Sequence, residues 1–255
     1  MRRPLAIASL LSALVLACPA SAAAPPAPRA APSAPSLHLP IERFTLANGL
    51  RVVLHADPTL PTVAISLLYD VGSRNEIEGR TGFAHMFEHM MFQGSANMKK
   101  GEHPQLVVGR GGILNAGTAS DITQYVSELP ASEIALGLWV EADRMRSLDV
   151  SPENFTSQRE VVKEEVLGGL SGPLAHAGRR LEELMFEGNW PYAHPTGGRV
   201  EDLDRAEFAW IKAFHDQYYG PNNAVLAVAG SLDIEATKGL IHRYFDNIPR
   251  VATPP

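Results

Sequence analysis

Residues 83–92 read Phe-Ala-His-Met-Phe-Glu-His-Met-Met-Phe, and this stretch limits the chain's options more than any other. Its apolar residues are too dense for a solvated helix and too long for a short strand, so they predict a buried helix. On that helix His85 and His89 stand one turn apart, at i and i+4, and their imidazoles leave one face. Nine histidines are available, and a solvated helix may carry two for no reason. A pair embedded among Phe83, Met86, Phe87, Met90, Met91 and Phe92 is different, because buried imidazoles need partners. A divalent ion satisfies both at once. The fold must bring further ligands to this face, and Gly94-Ser95 is expected to end the helix.

Glu88 flanks the pair, where it can take a proton from water activated by the metal, and H-x-x-E-H is the inverted form of the H-E-x-x-H helix. A tetrahedral catalytic site needs a third protein ligand and an open position. The segment Gln158–Leu170, QREVVKEEVLGGL, reads as a helix with three glutamates. Advancing about 100° per residue from Val161, Val162 falls near about 100°, Val166 near about 140° and Glu165 near about 40°. Glu165 therefore lies inside the apolar sector, and Glu160 and Glu164 lie outside it. A carboxylate aimed at a core needs a cation. Glu165 is the third candidate ligand, with a helix-edge salt bridge as the alternative reading.

These two segments resemble the M16 metallopeptidases, which include pitrilysin, insulin-degrading enzyme and the mitochondrial processing peptidase. In that family the inverted motif is followed about 75 residues further on by a glutamate ligand in a helix similar to R-x-V-V-x-x-E. Arg159–Glu165 matches at that distance. Phe44–Val53, Gly79–Gly82, Asn115–Asp121, Tyr192–Pro195 and Val225–Gly230 resemble family segments as well. The resemblance covers roughly residues 41–250. It implies one Zn2+ per chain held by His85, His89 and Glu165, with Glu88 as general base in peptide hydrolysis. Manganese and cobalt suit the same donors. It also implies that an extended peptide adds to a sheet edge carrying Asn115 and Ala116, where Gly111, Gly112 and Gly117 allow close approach. An ordinary glycine-broken turn is the alternative there. Gln158 is a candidate neighbour of Glu165. His194, in a loop between Pro191 and Pro195, is expected to be exposed and is given no role.

The interleaved strand and helix signals predict an α+β fold: a mixed, largely antiparallel sheet flanked by helices, an M16 metallopeptidase-like (LuxS/MPP-like) domain by resemblance. Asn48-Gly49 predicts a hairpin, Thr62–Val71 a strand and 80–93 the motif helix. A second helix is expected near 102–110 and strands near 113–117 and 121–128. Helices are then expected near 131–147, 152–168, 173–186 and 205–218, followed by a strand at Ala224–Ala229 and a closing helix at Ile234–Phe245.

Residues 1–22 read as a secretory signal peptide: Arg2-Arg3, an apolar run Leu5–Ala17, and Ala20-Ser21-Ala22 as the cleavage site. Export to a periplasm-like compartment follows. Cys18 offers lipidation as the alternative address. The apolar run is too short for a transmembrane span. Residues 23–40 read as a Pro/Ala-rich linker, 41–250 as the zinc-peptidase domain, and 251–255 as the start of an interdomain linker. The single cysteine excludes an internal disulfide framework and a cysteine-based zinc site. A net charge of −6 with no basic run gives no reason to expect nucleic acid. Members of the family pair a metal-bearing half with a second related half, so the expected partners are a peptide or small-protein substrate and a second M16-like domain, subunit or copy. The chain reads as a zinc endopeptidase. A non-catalytic peptide-binding or assembly subunit, or an inactive truncated product, are the alternatives.

Overall fold

The computed structural model describes residues 39–254. The leader at 1–22 and most of the 23–40 linker lie outside the described residues. Six strands form a single sheet in the order β1-β2-β6-β3-β5-β4. They are β1 (Glu42–Thr45), β2 (Arg51–Ala56), β3 (Thr62–Tyr69), β4 (Ile113–Thr118), β5 (Thr123–Pro130) and β6 (Ala224–Gly230). Only β2 and β6 run parallel, so the sheet is mixed and largely antiparallel, as the sequence predicts.

Alternation sets the register. Val63, Ile65, Leu67 and Tyr69 of β3 are buried, while Ala64, Ser66 and Leu68 between them are half-buried. Val52 and Leu54, Tyr125 and Leu129, and Leu226 and Val228 extend the same buried face, and helices cover it. Those packed on the sheet are α1 (Phe83–Met90), α2 (Glu102–Gly109), α3 (Ile134–Ser147) and α8 (Ile234–Phe245). The β1–β2 hairpin turns at Asn48-Gly49, and the Asn48 amide donates to the carbonyls of Phe245 and Ile248, which anchors the turn to the end of α8.

Helix α4 (Pro152–Gly169) begins as its sequence directs, with Ser151 accepting from the Asn154 N–H and Pro152 at the first helical position. It packs across α1. After it come α5 (Ala175–Met185), α6 (Val200–Arg205) and α7 (Phe208–Tyr218). The helix expected at 205–218 is α7, which starts later at Phe208, and the short α6 before it is unexpected. Ala206 and Glu207 leave the helical region (ψ 130° and 143°), which turns α7 so that Ile211 and Phe214 pack towards α1. The motif helix is also shorter than 80–93. Gly82, at φ 89°, starts it, and the chain has left the α conformation before Gly94.

Candidate metal centre

Helix α1 turns Met86, Phe87 and Met90 into the core, all fully buried, and leaves His85, Glu88 and His89 on its half-buried face. Helix α4 crosses that face and supplies Glu165. The His85 and His89 Nε2 atoms lie 3.3 Å apart. Glu165 Oε1 is 3.5 Å from His85 Nε2, and Oε2 is 3.2 Å from His89 Nε2. Among the described residues these three side chains form the one cluster whose ligand atoms all fall within 4.8 Å of one another.

The spacing can be tested against an ion. Tetrahedral zinc bonded at about 2.0–2.1 Å separates its ligand atoms by roughly 3.3 Å. The 3.3 Å between the two imidazole nitrogens matches that edge, and each nitrogen has one of the two Glu165 oxygens within 3.5 Å. Two imidazole nitrogens and a carboxylate facing one another also leave more lone pairs than protons, which a cation resolves. The His85 pKa is pushed down by burial and then by His89, against the pull of Glu165 and Glu88, and a neutral imidazole is the form that ligates.

Glu165 arrives there for a different reason from the one its helical angle suggests. Its side chain is 57% exposed, and Val161, used as the reference for the apolar sector, is exposed as well. Only Val162 of that sector is fully buried. The face carrying Glu165 looks into an open cleft beside α1, not into a core. Glu160 and Glu164 are exposed, with Glu160 held by Lys163 and Arg159. Gln158 is buried and donates to Ser157.

Strand β4 is an edge strand, paired only with β5, and it runs past α1. Its last residue, Thr118, donates its hydroxyl to Glu88 Oε2 at 2.7 Å. Asn115 and Ala116 line a cleft with Glu88, His89, Phe92 and Leu114. The Ala116 N–H donates to the Asn115 side-chain oxygen, so it is not engaged with β5. A second hollow joins the first at Glu88 and is walled by Glu165, Thr196 and Gly197.

Sequence reasoning missed three participants. Thr118 belongs to the Asn115–Asp121 segment but carries no signal that its hydroxyl meets Glu88. Glu76 is fully buried, and its two oxygens accept from the N–H groups of Gly82 and Ala84 at the start of α1. His194, expected to be exposed, is 3% exposed and sits 3.3 Å from Glu76 Oε2, stacked on Trp190. Burial pushes the Glu76 carboxyl up, against the hydrogen bonds it accepts. Burial alone would lower the His194 pKa, but Glu76 and the Trp190 carbonyl more than offset it and raise it above the ordinary value.

Two histidines one turn apart with a carboxylate facing them from a second helix make a donor set suited to a divalent cation. The chain belongs to the M16 insulinase family. The profile described as Insulinase (Peptidase family M16) matches residues 51–186, and that described as Peptidase M16 inactive domain matches 208–255. The zinc protease PqqE of Helicobacter pylori is 32% identical over 209 residues, which cover 81% of this chain and 47% of that protein. A solved protease from H. pylori superposes with TM-score 0.76 at 31% identity, covering 86% of this chain and 54% of the other. The ferredoxin protease FusC, solved with Arabidopsis ferredoxin, gives TM-score 0.74 at 25% identity over 84% of this chain and 25% of its own. The chain spans about half the length of the curated relatives it matches. No helix among the described residues is long and apolar enough to cross a membrane.

Proposed function

We propose that residues 41–250 form the metal-bearing half of a zinc endopeptidase, in which His85, His89 and Glu165 hold one zinc ion and Glu88 is the general base. The observation that carries this reading is the convergence of two imidazole nitrogens and a carboxylate within 4.8 Å of one another, with Glu88 fixed beside them. Zinc bound there supplies Lewis acidity, polarising a carbonyl and lowering the pKa of water. The chain's own residues do the rest. Glu88 accepts the proton of the attacking water and returns it to the leaving amine. Thr118 occupies one Glu88 oxygen and leaves the other for that proton. The free edge of β4 offers the Ala116 N–H and C=O to an extended peptide, with the Asn115 side-chain oxygen giving up the Ala116 N–H as the peptide pairs.

The substrate class is peptides or small proteins, in keeping with a similar protease solved in complex with Arabidopsis ferredoxin. A second M16-like half completes the cleft. Two features support this: the chain matches only about half of its relatives' length, and α5 presents Leu174, Leu181 and Met185 exposed on one face. Export is supported by the charged, apolar and small-residue order of residues 1–22.

The test is hydrolysis of a quenched fluorescent peptide mixture by the purified protein, with and without chelator, beside Glu88→Gln. With a second M16-like half supplied, chelator-sensitive cleavage lost in Glu88→Gln is expected. Cleavage that persists in Glu88→Gln removes Glu88 as the base.

A further inference from the structure

The start of α1 lacks a side-chain cap of its own, because its N-cap residue is Gly82. Glu76 does that work from six residues upstream, taking the Gly82 and Ala84 N–H groups at 2.8 and 2.9 Å. These are amides that an isolated helix leaves unpaired, and Ala84 directly precedes His85. The carboxylate is in turn held by His194. The His194 Nδ1 faces the Trp190 carbonyl at 2.8 Å, and its Nε2 faces both the Ser73 carbonyl at 2.9 Å and Glu76. Every one of these is an acceptor, so both ring nitrogens must carry protons and the ring is an imidazolium.

The same short segment also grips the strand edge. Ser73 and Arg74 donate their N–H groups to Ala119 and Ser120 at the tip of the β4–β5 hairpin. Arg74 pairs with Asp121, which also accepts from the Tyr192 hydroxyl at 2.7 Å. On the far side, Gly198, at φ +80°, lies so close to Gly82 that a Cβ there would fall 2.5 Å from the Gly82 Cα. Residues 72–76 therefore register the motif helix, the β4 edge and the 190–198 loop against one another.

We propose that Glu76 and His194 are positioning residues: a buried ion pair that sets where α1 begins and so fixes the His85–His89 face against Glu165 and Thr118. The proposal rests on the zinc reading above. A buried pair is a poor source of net stability, since well-packed apolar residues do as well. What it supplies is a defined geometry next to a donor set that tolerates little displacement. Residues that orient metal ligands from outside the ligand set typically change metal affinity 10–100-fold when replaced.

The experiment measures the zinc dissociation constant by competition with a chromophoric chelator, and the visible spectrum after cobalt loading, for wild type, Glu76→Gln, His194→Gln, Glu165→Gln and Glu141→Gln. Glu141 is the control, being an equally buried carboxylate paired with Arg144 on α3 and outside the site. Glu76→Gln and His194→Gln are expected to keep the far-ultraviolet signature of the metal-free fold, to weaken zinc roughly 10–100-fold and to change the cobalt spectrum. Glu141→Gln is expected to lower the melting temperature and leave zinc affinity within about twofold. Folded Glu76→Gln and His194→Gln with wild-type affinity and spectrum overturn the proposal. In the unmodified protein, zinc should also slow hydrogen exchange of the Gly82 and Ala84 amides, since coupling between two sites is reciprocal. Unchanged exchange there overturns the proposal even where the variants fail to fold. If wild type takes up no zinc, or Glu165→Gln does not weaken it, the zinc reading itself fails. If those hold and only Glu76 and His194 are silent, the positioning role alone fails.

Discussion

His103 should make this protein acid-sensitive by an amount the structure allows to be worked out. It lies on α2, 2% exposed, with its ring tilted against Phe92 at 5.6 Å between centroids, and neither ring nitrogen has a partner among the described residues. Burial, with a smaller push from the Arg144 guanidinium, drives its pKa down to about 2. In the unfolded chain the ring titrates near about 6.5. The folded state therefore keeps His103 neutral while the unfolded state takes up a proton, and stability is lost as pH falls below about 6.5. From pH 7 to pH 5 the loss from this one residue is about 2 kcal/mol. Replacing it with leucine removes the proton-binding site, and the change in packing is the same at every pH. Guanidinium unfolding of wild type and His103→Leu, with chelator present to silence metal linkage, gives the comparison. The stability difference between the two proteins should shift by about 2 kcal/mol in favour of His103→Leu between pH 7 and pH 5. A difference that stays constant over that range would refute the argument, because it would mean the folded protein binds the proton as readily as the unfolded chain.

Further outcomes follow from the site and its supports. Thr118→Val deletes the hydroxyl that orients Glu88; a hydrogen bond to a charged group is worth about 1.5–3 kcal/mol, and solvent at this half-buried carboxylate recovers part of it. Peptide hydrolysis should fall roughly tenfold with zinc affinity unchanged, and Thr118→Ser should restore it. Gly198→Ala places a methyl against Gly82 at a φ unsuited to it, each effect costing about 1–3 kcal/mol. Calorimetry should show a melting temperature lower by at least about 5 °C. Because the folded pKa of His194 is raised, its stabilising contribution is fully present below about 6.5 and lost as pH rises through the raised value. Melting of the chelated protein at pH 6 and pH 9 should show that loss in wild type and not in His194→Gln.

Features that depend on near neighbours along the chain are legible before the fold is known. Helical periodicity alone puts His85 and His89 on one face, and alternation alone puts the buried side of β3 against the helices. Ser151-Pro152 and Asp233 start α4 and α8 through their own side chains and dihedral angles, so those helices are legible from composition. Glu165 lies against both histidines, but its helical angle does not explain why. A helical wheel gives a direction without saying whether core or cleft lies there, and at Glu165 it is a cleft. Contacts that span long stretches of chain exist only in the closed fold. Thr118 meets Glu88 because β4 is an edge strand lying beside α1, and His194 meets Glu76 because the 190–198 loop folds back over the start of that helix. Local sequence holds no record of either encounter. A buried carboxylate and imidazole are intelligible only as a pair, and the pairing exists only once the chain has closed around them.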